Sequence, residues 1–283
     1  MVLKPLSYLH LQPTNQLAKT SLVPPSLNTG MHRSLRELGP RADNENDIDV
    51  RAAAAMCQYA YYALNQGSKP RATLIDGWLP MTSTEVDNLI SPGFHLKLKN
   101  NKSGFSSMLF QKQVDGIQYY AYCTEGTDMK SGKDWINNAT QFFTGISPQY
   151  TYSVQMALKI DRMIRDKAIL WFIGHSLGGG LASNNSLVTG RHAITFNAAG
   201  LHPWRETATV LLNNRSNLFR YKQRVQHIHA FVLEGEILNS FLHWFGQSAY
   251  GNRKVIKFDR DDISSTQRHA MTRILDTMGI WHD

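Results

Sequence analysis

Apolar positions fall into short blocks from about residue 50 onward, and their period switches between helix-like and strand-like spacing. Val50 to Leu64 is rich in helix formers and places Met56, Ala60 and Leu64 on one face, with Asp47 or Asp49 available as a cap. Tyr59, Tyr61 and Tyr62 in that block read as packing residues. Loops marked by Gly77, Pro80, Pro92 and Gly93 lead to Gly104–Val114 and Ile117–Cys123. These two runs flank Asp115-Gly116, a strong two-residue hairpin signal. Tyr152–Ile164 predicts a helix with Val154, Leu158, Ile160 and Ile164 inward and basic Arg165 and Lys167 at its end. An apolar run from Ile169 to Ile173 is long enough for one buried strand, and Ala193–Phe196 and Val225–Leu233 read as two more. A last helix carries Met271, Ile274, Leu275 and Met278. Strands alternating with helices predict an α/β chain: a mostly parallel central sheet with helices on both faces and an N-terminal antiparallel hairpin.

Residues 1–45 lack a sustained period and contain Pro5, Pro13, Pro24, Pro25 and Pro40, so they read as an irregular leader or surface arm ahead of one domain at 46–283. The length, 283 residues with 42% hydrophobic, suits one large α/β core. Thirty Lys+Arg against 22 Asp+Glu leave a net charge of +8, which favours an anionic membrane surface. No basic run interleaved with aromatics accompanies that charge, so nucleic acid is not expected as a partner. Cys57 and Cys123 lie in different segments and predict buried thiols, not a disulfide framework or zinc site. The longest uncharged apolar run, from Ala168 to Gly174, is too short to span a bilayer, which predicts a soluble chain. Pro5, His10, Gln12, Pro13 and Asn15 interrupt the apolar core that a cleaved export signal needs.

The chemistry converges on Gly174-His175-Ser176-Leu177-Gly178-Gly179-Gly180. An apolar strand runs into Gly-x-Ser-x-Gly and a helix-forming Leu181-Ala182-Ser183 segment runs out of it, the strand, sharp turn and helix of a nucleophile elbow. Ser176 is the expected nucleophile, and His175 reads as elbow packing. The elbow implies the chain order serine, acid, histidine, because the hydroxyl needs a base and the base needs an orienting acid. Glu236 is preferred as the acid, since it follows Gly235 at the outer end of the Val225–Leu233 strand. Glu234, Asp259, Asp261 and Asp262 are the alternatives. His269, at the mouth of the last helix, is preferred as the base, with His202 and His243 as alternatives. The oxyanion donors are expected to be the backbone N–H of Leu177 and, at the end of the second hairpin strand, Thr127. Neither a cofactor nor a metal is expected.

Taken together, Glu125-Gly126-Thr127 ending a strand, Asp134-Trp135 soon after, the Gly-His-Ser-Leu-Gly-Gly-Gly elbow and Thr195-Phe196-Asn197-Ala198-Ala199-Gly200 resemble the class 3 lipase family, a fungal-lipase-like branch of the α/β-hydrolases. The resemblance covers about residues 50–280. It implies a serine carboxylic-ester hydrolase, an oxyanion donor at Thr127 and a flexible lid within about 128–148. This chain departs from that family where Glu125 stands in place of an arginine, and where Glu236, in a Gly-Glu-Ile-Leu context, stands in place of an aspartate. The Asn-Ala-Ala-Gly strand end and the basic chain look most like bacterial phospholipase A-type enzymes, including effectors delivered by specialised secretion systems. That reading implies a phospholipid substrate, peripheral contact with anionic membranes, and a secretion machine or an inhibitor (immunity) protein as partner.

Overall fold

The computed structural model describes residues 48–66, 73–89, 98–100, 102–125, 148–164, 167–200, 223–241, 248–258 and 262–280. The Asp49 carboxylate accepts the Arg51 N–H at 2.8 Å and caps α1, Val50–Tyr61. Ala52–Ala55 are all buried, and their small side chains let this helix lie close to the sheet. The expected helix end at Leu64 falls in a turn of π-helix, Tyr62–Gln66. Short β1 (Leu79–Pro80), α2 (Ser83–Leu89) and β2 (Lys99–Asn100) lead into β3 (Phe105–Val114) and β4 (Ile117–Thr124). The β3–β4 turn has positive φ at both Asp115 (50°) and Gly116 (79°), as a two-residue type I′ turn requires.

The next helix, α3 (Pro148–Ile164), begins four residues ahead of the expected Tyr152, with proline in its first turn, where the missing N–H costs nothing. Then come β5 (Ile169–His175), α4 (Leu177–Thr189), β6 (His192–Phe196) and β7 (Ile228–Leu233). Strand β7 starts later than Val225 because residues 223–226 are helical. Arg224 in that turn donates to the carbonyls of Leu187 (2.8 Å) and Val188 (3.0 Å) at the end of α4. The described chain closes with α5 (Ile237–Phe241), β8 (Asn252–Ile256), a 3-10 turn at Gln267–His269 and α6 (Met271–Thr277).

Eight strands form one mixed sheet in the order β1-β3-β4-β5-β6-β7-β8, with β2 pairing β3. Strands β4 to β8 run parallel, and β1, β2 and β4 pair β3 antiparallel. Strand β5 sits inside this array, so its residues are buried on both faces and the period-2 signal disappears into a continuous apolar run. Trp171 and Ile173 join α1 and α6 on one face, whereas Leu170 and Phe172 join α3 and α4 on the other. Each such large side chain contributes about 1.5–3 kcal/mol by burial. The thiols of Cys57 on α1 and Cys123 on β4 meet at this helix–sheet contact, free and buried with sulfurs 4.0 Å apart, and burial pushes the Cys57 thiol up. No helix among the described residues is long and apolar enough to cross a membrane.

At the amino-terminal ends of β6 and β7, opposite the elbow, His192, His227 and His229 gather beside Trp171. His192 stacks on His227 with centroids 4.5 Å apart and lies 6.0 Å from His229. Burial of the covered ring faces, then the like charges of His227 and His229, push His192 down to about 4, and burial with Lys254 and His227 lowers His229. His192 keeps much of its surface in water, so screening trims the effect.

An added Cβ at Gly174 would lie 2.2 Å from the Gly178 carbonyl oxygen, whereas one at Gly116 meets nothing within 4 Å. Gly174→Ala should cost about 3 kcal/mol or more in urea unfolding, and Gly116→Ala only about 1 kcal/mol, from its backbone conformation alone. For His192, the folded value lies below the unfolded value of about 6.5, so the unfolded chain takes up more protons below that pH. Stability should therefore fall as pH drops from about 6.5 towards 4, and His192→Gln should flatten the slope; equal slopes in the two proteins would show that the stack does not titrate as described.

Candidate active site

The elbow is built by close approach. Gly174 ends the apolar part of β5, and the absence of its Cβ lets the first turn of α4 close against it. Ser176 sits between them at φ 58°, ψ −127°, a conformation that side chains rarely adopt and that surrounding structure must hold. Its N–H donates to Phe196 O at 3.0 Å, and its carbonyl accepts from Gly180 N (3.2 Å) and Ala199 N (2.9 Å). The two further glycines also have work to do: a Cβ at Gly179 would meet Ala198 Cβ at 2.6 Å, and one at Gly180 the Tyr150 hydroxyl at 2.5 Å. Thr124, the last residue of β4, pairs in register with Gly174 and donates its hydroxyl to Gly178 O at 2.8 Å, tying the end of β4 to the elbow.

Glu236 follows Gly235, whose φ of +70° turns the chain back over the end of β7. Its carboxylate accepts Leu238 N–H (2.8 Å) and Asn239 N–H (3.0 Å), capping the short α5, and also the Asn239 amide at 2.9 Å. Asn239 is held in turn by Ala249 N–H at 2.8 Å. His269 ends the 3-10 turn that a reciprocal Ser264–Gln267 capping pair organises. Arg268 beside it reaches Ile263 O and Glu234 O, both at 3.0 Å, and lies 5.3 Å over the Phe258 ring.

These loops bring three side chains into one hydrogen-bonded line. His269 Nδ1–H donates to Glu236 Oε1, which leaves Nε2 as the acceptor for the Ser176 hydroxyl at 2.9 Å. All three residues are buried. Burial alone would raise the Glu236 carboxyl, but the hydrogen bond and charge of His269, with Asn239 and the Leu238 N–H, hold it below the usual carboxylate range. The carboxylate is thus ionised at neutral pH and fixes the imidazole tautomer, so the line is equipped to take a proton from the serine hydroxyl.

Leu177, whose N–H is the expected first oxyanion donor, opens α4 directly after Ser176. Thr127, the expected second donor, lies outside the described residues, as do Asp134, Trp135 and all but the last residue of the expected lid at 128–148. Of the alternative acids, Glu234 and Asp262 are exposed, while Asp259 and Asp261 are outside the described residues, as are His202 and His243. Sequence reasoning missed Asn239, and it read His175 as packing. His175 packs its ring against that of His269, and its Nε2–H also donates to the His269 carbonyl at 2.8 Å. Burial, then the nearby charge of His269, push His175 down to about 3, so its ring is neutral. Asn197 was part of a recognisable motif, yet nothing in the sequence indicates that its amide reaches the same carbonyl, at 3.1 Å. Among the described residues, no cluster of three or more His, Cys, Asp or Glu side chains could hold a metal ion.

The chain is 34% identical over 99 residues to "Extracellular phospholipase A1" of Serratia liquefaciens, a match spanning 35% of this chain and 28% of that relative's length. A family model described as "Phospholipase-like: Tle-like phospholipase domain" matches residues 52–257, which hold the sheet, the elbow and Glu236 and stop short of His269. On a match of that extent, the chain belongs to the Tle-like phospholipase domain family.

Proposed function

We propose that the chain is a serine phospholipase A, cleaving acyl esters of glycerophospholipids through an acyl-enzyme. The observation that carries this reading is the Ser176–His269–Glu236 hydrogen-bonded line, set at the carboxyl ends of parallel strands in a chain of a phospholipase family. Class 3 lipases share the strand-end and elbow motifs on which their resemblance to this chain rests, and the mixed sheet with helices on both faces is consistent with an α/β-hydrolase fold.

His269 Nε2 takes the hydroxyl proton as Ser176 Oγ attacks the ester carbonyl carbon, and Glu236 stabilises the imidazolium. The oxyanion is received by the N–H of Leu177 and by Thr127. Collapse of the tetrahedral intermediate expels the lysophospholipid alkoxide, which takes the proton from His269. Water, deprotonated by His269, then attacks the acyl-enzyme, releases the fatty acid and restores the serine. The net charge of +8 favours adsorption at anionic bilayers. The Serratia relative is named extracellular, and export of this chain by a secretion machine, with an inhibitor protein guarding the producing cell, would suit an enzyme that attacks membranes.

The test is release of fatty acid from phosphatidylglycerol vesicles beside a soluble short acyl ester and a triacylglycerol emulsion. Ser176→Ala and His269→Ala should each lower kcat by about 10,000-fold or more. Glu236→Gln should lose a comparable factor, because an amide favours the wrong imidazole tautomer. Turnover of the soluble ester or the emulsion with none of the vesicles would replace the phospholipase reading with a lipase or esterase. Activity that survives Ser176→Ala would dismiss the serine mechanism.

A further inference from the structure

We infer that His175 and Asn197 are positioning residues for His269, holding the backbone of the general base while its imidazole works. This inference rests on the serine reading above and assigns a role to two side chains outside the Ser176–His269–Glu236 line.

Through the reaction cycle the contact between Ser176 Oγ and His269 Nε2 must break and reform, as the proton passes to the leaving group and is later taken from water. During those steps Glu236 must keep hold of an imidazole that has released Ser176. Its backbone lies in a 3-10 turn, outside the sheet ladder. A shift of about 1 Å in such a group can cost on the order of a hundredfold in rate.

Two side chains oppose that shift. His175 Nε2 lies 2.8 Å from the His269 carbonyl oxygen, and the two rings are 4.9 Å apart, tilted by 40°. A carbonyl only accepts, so Nε2 of His175 carries the hydrogen. Asn197 Nδ2 donates to the same carbonyl and to that of Arg268, both at 3.1 Å, so both lone pairs of the His269 oxygen are used. Its Oδ1 accepts the Leu233 N–H at 2.8 Å, and this orientation of the amide satisfies all three contacts.

The origins of the two donors matter. His175 is covalently next to Ser176, and Asn197 grips the last residue of β7, three positions before Glu236. The base is therefore tied to the strand of the nucleophile and to the strand of the acid. Asn197 also holds a left-handed backbone, φ 41°, at the end of β6, where its own N–H donates to Phe231 O at 2.8 Å. Asparagine tolerates that conformation better than most residues. A position required only to fill space would be met by many side chains. This one needs a left-handed backbone, one acceptor and one amine that reaches two carbonyls.

The experiment measures kcat and KM on a soluble short acyl ester, and the rate at which a fluorophosphonate labels Ser176, in five proteins: wild type, His175→Leu, His175→Gln, Asn197→Asp and His269→Ala. His175→Leu and Asn197→Asp should lower kcat and the labelling rate by about tenfold to a hundredfold, with KM within about twofold. His175→Gln, whose amide N–H can meet the same carbonyl, should recover most of the loss. Folded His175→Leu and Asn197→Asp proteins with wild-type kcat, beside a dead His269→Ala, would overturn the positioning role alone. An active His269→Ala would instead remove the serine reading beneath it. Should the variants fail to fold, 15N spectra of histidine-labelled wild type decide the matter. At pH 7 His175 should be the neutral Nε2–H tautomer, and an Nδ1–H tautomer would overturn the inference.

Discussion

Strand β5 and helix α4 meet so closely at the elbow that no atom fits between Gly174 and Gly178, and much of the remaining structure exists to hold that contact. The strained Ser176 backbone between them is kept in place by hydrogen bonds to Phe196, Gly180 and Ala199. Strain of this kind costs on the order of 1–3 kcal/mol and persists only where neighbours over-determine it. The neighbours here are β6, the Ala198–Ala199 segment and α3 through Tyr150, and the last two depend on glycine at 179 and 180 to approach. The buried strand then supplies the apolar energy that offsets the strain, with Trp171, Phe172 and Ile173 packed on alternate faces.

Helix α4 illustrates what such a position demands. It is buried nearly throughout, although Ser183, Asn184, Asn185 and Ser186 lie in it. Burial of such polar groups is tolerable when they find partners, as the side chains of Ser183, Asn185 and Ser186 do, whereas Asn184 Oδ1 is buried without one. Ser153 on α3 and Asn185 exchange hydrogen bonds at 3.1 and 2.9 Å, Ser183 donates to Gly179 O at 2.9 Å, and Ser186 donates to Arg191 O at 2.5 Å. Small polar side chains thus keep the helix narrow enough to sit between α3 and the sheet, which a helix of leucines would not permit.

Glu236 and His269, the proposed acid and base, are held by other means. Both sit on loops beyond strand ends, where the backbone lacks ladder partners, and local devices replace the ladder. Glu236 is fixed by capping α5 and by Asn239, and His269 by the Ser264–Gln267 pair and the clasp on its carbonyl. These loops keep the carboxylate out of water yet richly hydrogen-bonded, and the hydrogen bonds outweigh the desolvation cost.

Local physics made much of this chain legible from its residues alone. The hairpin turn at Asp115-Gly116, the apolar run of β5 and the glycine-flanked Ser176 depend on period, turn chemistry and small side chains within a few residues, so they were readable without a fold. The late start of β7 was hidden, because it follows from Arg224 reaching the end of α4, a contact 37 residues distant in sequence for Leu187. The pairing of Glu236 with His269 was narrowed by chain order but not decided by it. Glu236 and His269 are 33 residues apart, and His269 and Ser176 are 93 apart. Which carboxylate and which imidazole meet is a property of how β7, α5 and the 3-10 turn pack. The same holds for His175 and Asn197, which reach the His269 carbonyl across 94 and 72 residues. By itself the sequence determined where the elements lie and where a serine would be forced into a strained turn, since those are short-range steric matters. Only the tertiary structure decided which distant polar groups share hydrogens, because a hydrogen bond is won within a few tenths of an ångström and the sequence carries no such distance.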